Sequence, residues 1–158
     1  MAISDQWVRS KAAVAPLWSI VSLAIVVVIW FLRGNAGAAG SVAFTAYLSC
    51  LVTLFAVVIH SDRLWYALFV FLSQAAATIA AMAAVYSRAG LVIAGEISDA
   101  SVRDGIYFSI VTWTTLGYGD MTPRPEMRLV AASQAVLGYI YLGVFVSLVM
   151  SRSRGGRA

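Results

Sequence analysis

Residues Asp104–Pro123 read DGIYFSIVTWTTLGYGDMTP. The first part, Asp104 to Thr115, is apolar and aromatic with interspersed hydroxyls. As a helix it would be roughly 18 Å long, whereas crossing a hydrocarbon core of about 30 Å takes about 20 residues. The adjoining segment, Leu116-Gly117-Tyr118-Gly119-Asp120, trades side chains for backbone freedom. Glycine enters the left-handed region without the Cβ clash that other residues meet there. A half-length helix ending in such a segment predicts a chain that dips into a bilayer and returns. Irregular backbone at that depth is tolerated only where protein buries it or a watery path runs beside it.

The rest of the chain supplies the membrane setting. Of 158 residues, 61% are hydrophobic and 11% charged, and the mean hydropathy is +0.87. A soluble domain of this size carries about a quarter of its residues charged. Four apolar stretches, Ala12–Leu32, Val42–His60, Leu64–Tyr86 and Leu129–Met150, contain no Asp, Glu, Lys or Arg. The expected fold class is an all-α membrane protein with four transmembrane helices, a re-entrant helix and a loop. Arg9 and Lys11 before an apolar run, then Ala36-Gly37-Ala38, have the outline of a secretory signal. However, Leu17–Leu32 is longer than such a core and is closed by Arg33, so a retained span is expected. The net charge of +4 is scattered. With no basic stripe, nucleic acid is not an expected partner, whereas membrane lipid is. Cys50 lies mid-stretch and is expected to be a small buried apolar residue.

Ser61-Asp62-Arg63 is short enough to make the second and third stretches an antiparallel hairpin. Ala75–Ala84 is rich in small residues, which let membrane helices approach closely. Ser87–Arg103 is too polar to cross, and Pro123 and Pro125 delay the final helix. Arg and Lys number six on the side of the termini and five on the other, favouring cytoplasmic termini by a single residue. The first two stretches have no interior arginine, so they are expected to be scaffold rather than a voltage sensor. His60 at a span end is expected to be a solvated residue rather than a proton sensor. In the last stretch, Gly138 is a candidate bend and Gly143 a packing glycine. Gln134 either faces a watery cavity or bonds a neighbouring helix.

A cation crossing a membrane must exchange hydration water for other oxygens without being held too tightly, and rings of backbone carbonyls from several subunits provide this. Pointing consecutive carbonyls one way requires alternating backbone handedness, which Gly117 and Gly119 permit. The segment YFSIVTWTTLGYGDMTP resembles the pore segment of potassium channels, whose fingerprint is T-x-G-Y-G-D. The resemblance covers Leu64 to the C-terminus. It implies a pore module over 64–158, with outer helix 64–87, pore helix and filter 102–120 and inner helix 128–150. Residues 1–63 would form a separate two-helix membrane segment.

The resemblance further implies a homotetramer in a cell (inner) membrane with both termini cytoplasmic. Thr115, Leu116, Gly117, Tyr118 and Gly119 would line the filter, and Thr115, Leu116, Gly117 and Tyr118 would coordinate potassium. Asp120 would stand at the outer mouth, and Tyr107, Val111 and Thr114 would support the filter. Potassium is then a permeant ligand and no cofactor is expected. Nor is an enzyme, since no nucleotide loop or metal-ligand spacing occurs. The sequence also departs from the family. Leu116 stands where a β-branched residue is usual, and Val111 where some members carry a glutamate that pairs with the aspartate. Tyr107 is placed to donate a hydrogen bond to Asp120 instead. A weakly selective cation channel and a non-conducting scaffold or auxiliary subunit are the alternative functions.

Overall fold

The computed structural model describes residue 42, residues 45–53 and residues 64–155, with side chains for 42, 45–53 and 67–151. Ala12–Leu32, the loop at 61–63, Ala36–Ala38, His60 and the basic residues before Leu64 lie outside the described residues. Among the described residues, Ala67–Ala89 and Pro125–Ser151 are long and apolar enough to cross a membrane.

Helix α1 spans Leu64–Ala89, 26 residues or about 39 Å. It continues three residues past Tyr86, with Arg88 in its last turn. Gly90 stops it, with φ at +80° and its N–H bonded to the Tyr86 carbonyl at 3.0 Å, the left-handed ending that suits glycine. Helix α2, Val102–Trp113, has 12 residues and is about 18 Å long. Helix α3 runs from Arg128 to Gly155 without a break, 28 residues. It is preceded by a 3₁₀ turn at Pro125–Met127, with the proline in its first turn, where a missing N–H costs little.

The structure departs from the all-α expectation in the connections. Strands β1 (Leu91–Ile93), β2 (Glu96–Ser98) and β3 (Met121–Pro123) form an antiparallel sheet in the order β2-β1-β3. Ala94 and Gly95, at φ +52° and +85°, make the two-residue turn whose twist matches a tight hairpin. Val92 pairs with Ile97 on one side and Thr122 on the other. Pro123 is tolerated because β3 is an edge strand. A polar connection thus becomes sheet because strands of three residues bond one another's backbones, which a two-element membrane-helix pattern does not anticipate.

The core sits where α1, α2 and the start of α3 meet beneath the sheet. Met82, Val85, Tyr86, Leu91, Phe108, Met127 and Ala131 form one buried cluster, in which Tyr86 and Phe108 meet edge-to-face at 4.7 Å. Cys50, Phe71, Trp113, Leu137 and Tyr141 form a second. There Phe71 stacks on Tyr141 with ring centroids 3.9 Å apart. The helical residues 45–53 pack on α1 and α3 of their own chain. Gln74 Nε2 donates to Ser49 Oγ at 2.9 Å, and Tyr47 Oη donates to the Val130 carbonyl at 2.8 Å. Cys50 is fully buried, and its sulfur lies 3.0 Å from Thr78 Oγ1.

Candidate functional site

The loop Thr114–Asp120 is held at both ends, and α2 sets its position. Ser101 caps α2: its Oγ accepts from the Asp104 N–H at 3.2 Å, while the Ser101 N–H donates to Asp104 Oδ2 at 2.9 Å. This reciprocal pair satisfies helix-end donors. The Ser101 hydroxyl and backbone N–H bonds hold the Asp104 carboxyl below its ordinary range. The pattern S-x-x-D is a helix-start signal that the strength of the membrane-helix pattern obscures.

One face of α2, Gly105-Ser109-Trp113, is spaced four residues apart and therefore aligned. A Cβ at Gly105 would lie 2.5 Å from the Ala83 carbonyl oxygen, so only glycine lets α2 come this close to α1. Ser109 Oγ donates to the Ile79 carbonyl at 2.8 Å. Trp113 packs edge-on against Tyr141 of α3 at 5.4 Å.

At its C-terminus α2 closes its own last carbonyls. The Thr114 N–H and Oγ1 both donate to the Ile110 carbonyl, at 2.9 and 2.7 Å. The Leu116 N–H reaches the Val111 carbonyl at 3.0 Å, while the Val111 side chain is buried. Beyond this point the backbone alternates. Thr115, Gly117 and Gly119 have φ of +57°, +56° and +81°, and the intervening Leu116 and Tyr118 do not share the sign. A Cβ at Gly117 or Gly119 would meet nothing within 4 Å. Glycine is therefore required there by backbone conformation rather than by crowding. Positive φ at Thr115 is not expected from sequence. A β-branched residue there is strained by roughly 1–3 kcal/mol, a cost that persists only where the surroundings enforce it. Here the bond from the Thr115 N–H to the Thr112 carbonyl at 3.1 Å helps to do so.

At the other end, Tyr107 Oη donates to Asp120 Oδ2 at 2.7 Å, the contact expected from sequence. The carboxylate as acceptor raises the phenol above its ordinary pKa. Directly after Asp120 the chain enters β3, which pairs with β1 and so ties the loop's exit to the end of α1. Arg124 reinforces this tie, with Nη1 donating to the Ala89 carbonyl at 3.1 Å. Neither the pairing of β3 with β1 nor the Arg124 contact is legible in the sequence.

The two glycines of α3 differ in their surroundings. Gly138, the bend candidate, lies within an unbroken helix, and a Cβ there would run into the Trp113 carbonyl oxygen. Gly143, expected to pack, has nothing within 4 Å of a Cβ among the described residues. Gln134, left between cavity and neighbour, is fully buried and hydrogen-bonded.

Leu116 and Tyr118 are 58% and 67% exposed, so more than half of each is left uncovered. Below the loop, a recess of about 290 Å³ is lined by Thr114, Thr115, Gly138, Tyr139 and Leu142 among others. Among the described residues no three His, Cys, Asp or Glu side chains cluster. The oxygens this loop can offer a cation include its carbonyls, the Thr115 hydroxyl and the Asp120 carboxylate.

Comparison with known proteins agrees with this geometry. A potassium channel protein of rice, "Two pore potassium channel c", is 39% identical over 51 residues, 32% of this chain and 11% of its own length. A protein of Rhodopseudomonas palustris named for a candidate potassium channel is 28% identical over 152 residues, 93% of this chain and 34% of its own. Protein LctB of Geobacillus stearothermophilus is 41% identical over 46 residues, 29% of this chain and 34% of its own. The chain spans about a third or less of the length of these relatives. No solved structure matches. The family described as "Ion channel" matches residues 44–154, more than two thirds of the chain and the whole of α1, α2, the loop and nearly all of α3. The chain belongs to this ion-channel family.

Proposed function

We propose that this chain is one subunit of a homotetrameric, potassium-selective channel that conducts passively through a filter of backbone carbonyls. The observation that carries the reading is the alternation of φ at Thr115, Gly117 and Gly119. In an extended strand successive carbonyls point to opposite sides. Alternating handedness undoes that flip and turns consecutive carbonyls to one side, as a line of cation sites requires. Four copies around one axis would stack the oxygens of Thr115, Leu116, Gly117 and Tyr118 into rings, with Gly119 completing the segment. Asp120 in four copies would concentrate cations at the outer mouth.

Assembly is supported by Leu116 and Tyr118, large side chains beside this backbone that are more than half exposed. A second copy would bury them behind the filter. Two of the three named relatives bear potassium-channel names, which favours potassium as the ion. In this reading all four apolar stretches span a cell (inner) membrane, residues 1–63 form a scaffold around the pore module 64–158, and both termini are cytoplasmic.

Purified protein reconstituted in liposomes tests the proposal. The expected result is potassium flux well above sodium flux, blocked by barium, from a tetramer. Equal potassium and sodium fluxes would replace it by a weakly selective cation channel. No flux from intact tetramers would replace it by a non-conducting scaffold.

A further inference from the structure

Gln134 carries a polar amide into the middle of an apolar helix, and the structure accounts for each of its polar atoms. Tyr86 Oη from α1 donates to Gln134 Oε1 at 2.7 Å. Gln134 Nε2 donates to Ser109 Oγ at 3.0 Å and to the Ser109 carbonyl at 3.2 Å, both on α2. Ser109 Oγ in turn donates to the Ile79 carbonyl of α1 at 2.8 Å. Every donor thus has an acceptor, and the chain of bonds runs in a single direction from Tyr86 to Ile79. Gln134 and Ser109 are fully buried, as is Tyr86. Breaking one bond would strand a polar atom where no water replaces the partner.

Four residues along the same face of α3, Gly138 sits against the Trp113 carbonyl, itself four residues beyond Ser109 on α2. α3 therefore meets α2 at two points in matching register, Gln134 on Ser109 and Gly138 on Trp113. Trp113 is followed directly by Thr114 and Thr115, where the left-handed alternation begins. A rotation or slide of α3 cannot leave the first contact without disturbing the second, and the second adjoins the loop.

We propose that Gln134 is a positioning residue for conduction: through Ser109, and in register with Gly138, it keys α3 to α2 and fixes the height and rotation at which α2 presents the filter. The proposal rests on the potassium-channel reading given above. Tyr86 orients the Gln134 amide, and Ser109 transmits its hold to α2.

The test uses the full chain reconstituted in liposomes, with potassium and sodium fluxes measured for the unmodified protein, Gln134→Leu, Tyr86→Phe and Gln134→Glu. Gln134→Leu substitutes an apolar side chain of similar size and removes the bonds, and the potassium-to-sodium ratio is expected to fall about tenfold if the loss of these buried bonds loosens the register of α2. Tyr86→Phe removes one oxygen and should lower the ratio in the same direction. Gln134→Glu supplies a readout that packing alone would not move. In acid its neutral carboxyl can accept from Tyr86 and donate to Ser109. In alkali an anion faces the Ser109 carbonyl. The titratable groups around it are the Tyr86 phenol and, beyond that, Tyr47. Selectivity of Gln134→Glu is therefore expected to recover as pH falls, while that of Gln134→Leu stays flat. Should Gln134→Leu fail to assemble, Tyr86→Phe and Gln134→Glu decide the matter. Wild-type selectivity in Gln134→Leu or Tyr86→Phe, or a flat pH profile in Gln134→Glu, would overturn this inference alone. Absence of potassium flux in the unmodified protein would overturn the channel reading and this inference with it.

Discussion

Replacing Gly138 with alanine sets two readings of α3 against each other with opposite signs. If the residue served only as a point of bending, alanine would stiffen the helix and stabilise it by up to about 1 kcal/mol, the ordinary gain of alanine over glycine in a helix interior. The structure predicts the reverse. A Cβ at Gly138 would overlap the Trp113 carbonyl oxygen and come within 2.9 Å of its carbon and 3.3 Å of its Cα. These are backbone atoms at the end of α2, which cannot rotate aside as a side-chain tip would. Relief requires α3 to retreat by on the order of 1 Å, an overpacking that typically costs about 1–3 kcal/mol in a close-packed interior. Set against the helix-propensity gain, a net loss of about 1–2 kcal/mol per subunit is expected. Gly143→Ala supplies the control, because a Cβ there meets nothing within 4 Å among the described residues. It should be neutral or stabilising by up to about 1 kcal/mol. Reversible unfolding of detergent-solubilised monomer, followed by circular dichroism, compares the two directly. Equal or greater stability for Gly138→Ala than for Gly143→Ala would refute the packing argument and restore the bend.

Further outcomes concern the loop and its supports. Tyr107→Phe deletes the hydroxyl that bonds Asp120 and is expected to shorten the conducting state under sustained potassium flux; unchanged flux decay would remove the brace. Because the Tyr107 pKa is raised by that carboxylate, the bond's contribution is complete below the unfolded phenol value near 10. It is lost as pH rises through the higher folded value, so the wild type should converge on Tyr107→Phe in strong alkali. Asp104 behaves in the opposite sense. Its folded pKa is depressed below 3.8, chiefly by Ser101, so its cap stabilises fully above that unfolded value and fades as pH falls through the depressed one. Acid unfolding should accordingly shift less in Asp104→Asn than in the wild type. At Gly119, φ is +81° with open space around a Cβ. Alanine there should cost about 1–2 kcal/mol per subunit through backbone conformation alone and abolish potassium flux. Retained flux would show that the left-handed residue is dispensable.

Much of the site is legible in sequence because it depends on neighbours along the chain. Hydropathy over Leu64–Tyr86 and Leu129–Met150 marks α1 and α3. Asp104 to Thr115 is too short to span, and the glycines at 117 and 119 mark where handedness alternates. The reach from Tyr107 to Asp120 crosses only the end of one helix and one loop. The hairpin around Ala94-Gly95 and the cap at Ser101 also have local signals, overshadowed by the apolar spans on either side.

Chain order could not decide which backbone comes to lie against which residue. Gly138 and Gly143 look alike in sequence, and they differ because the end of α2, some 25 positions earlier, arrives at Gly138, whereas among the described residues nothing reaches Gly143. Gln134 could not be assigned until Tyr86 and Ser109 were brought to it from two other helices. The strained turn at Thr115 depends on how α2 terminates, and the tie from loop to sheet depends on β1 pairing with β3. Dihedral preference and burial are properties of residues and their near neighbours, so the sequence alone determined a half-length helix, a left-handed-capable loop and apolar spans. Close approach and hydrogen-bond direction belong to pairs distant in the chain, so only the tertiary structure determined how that loop is held.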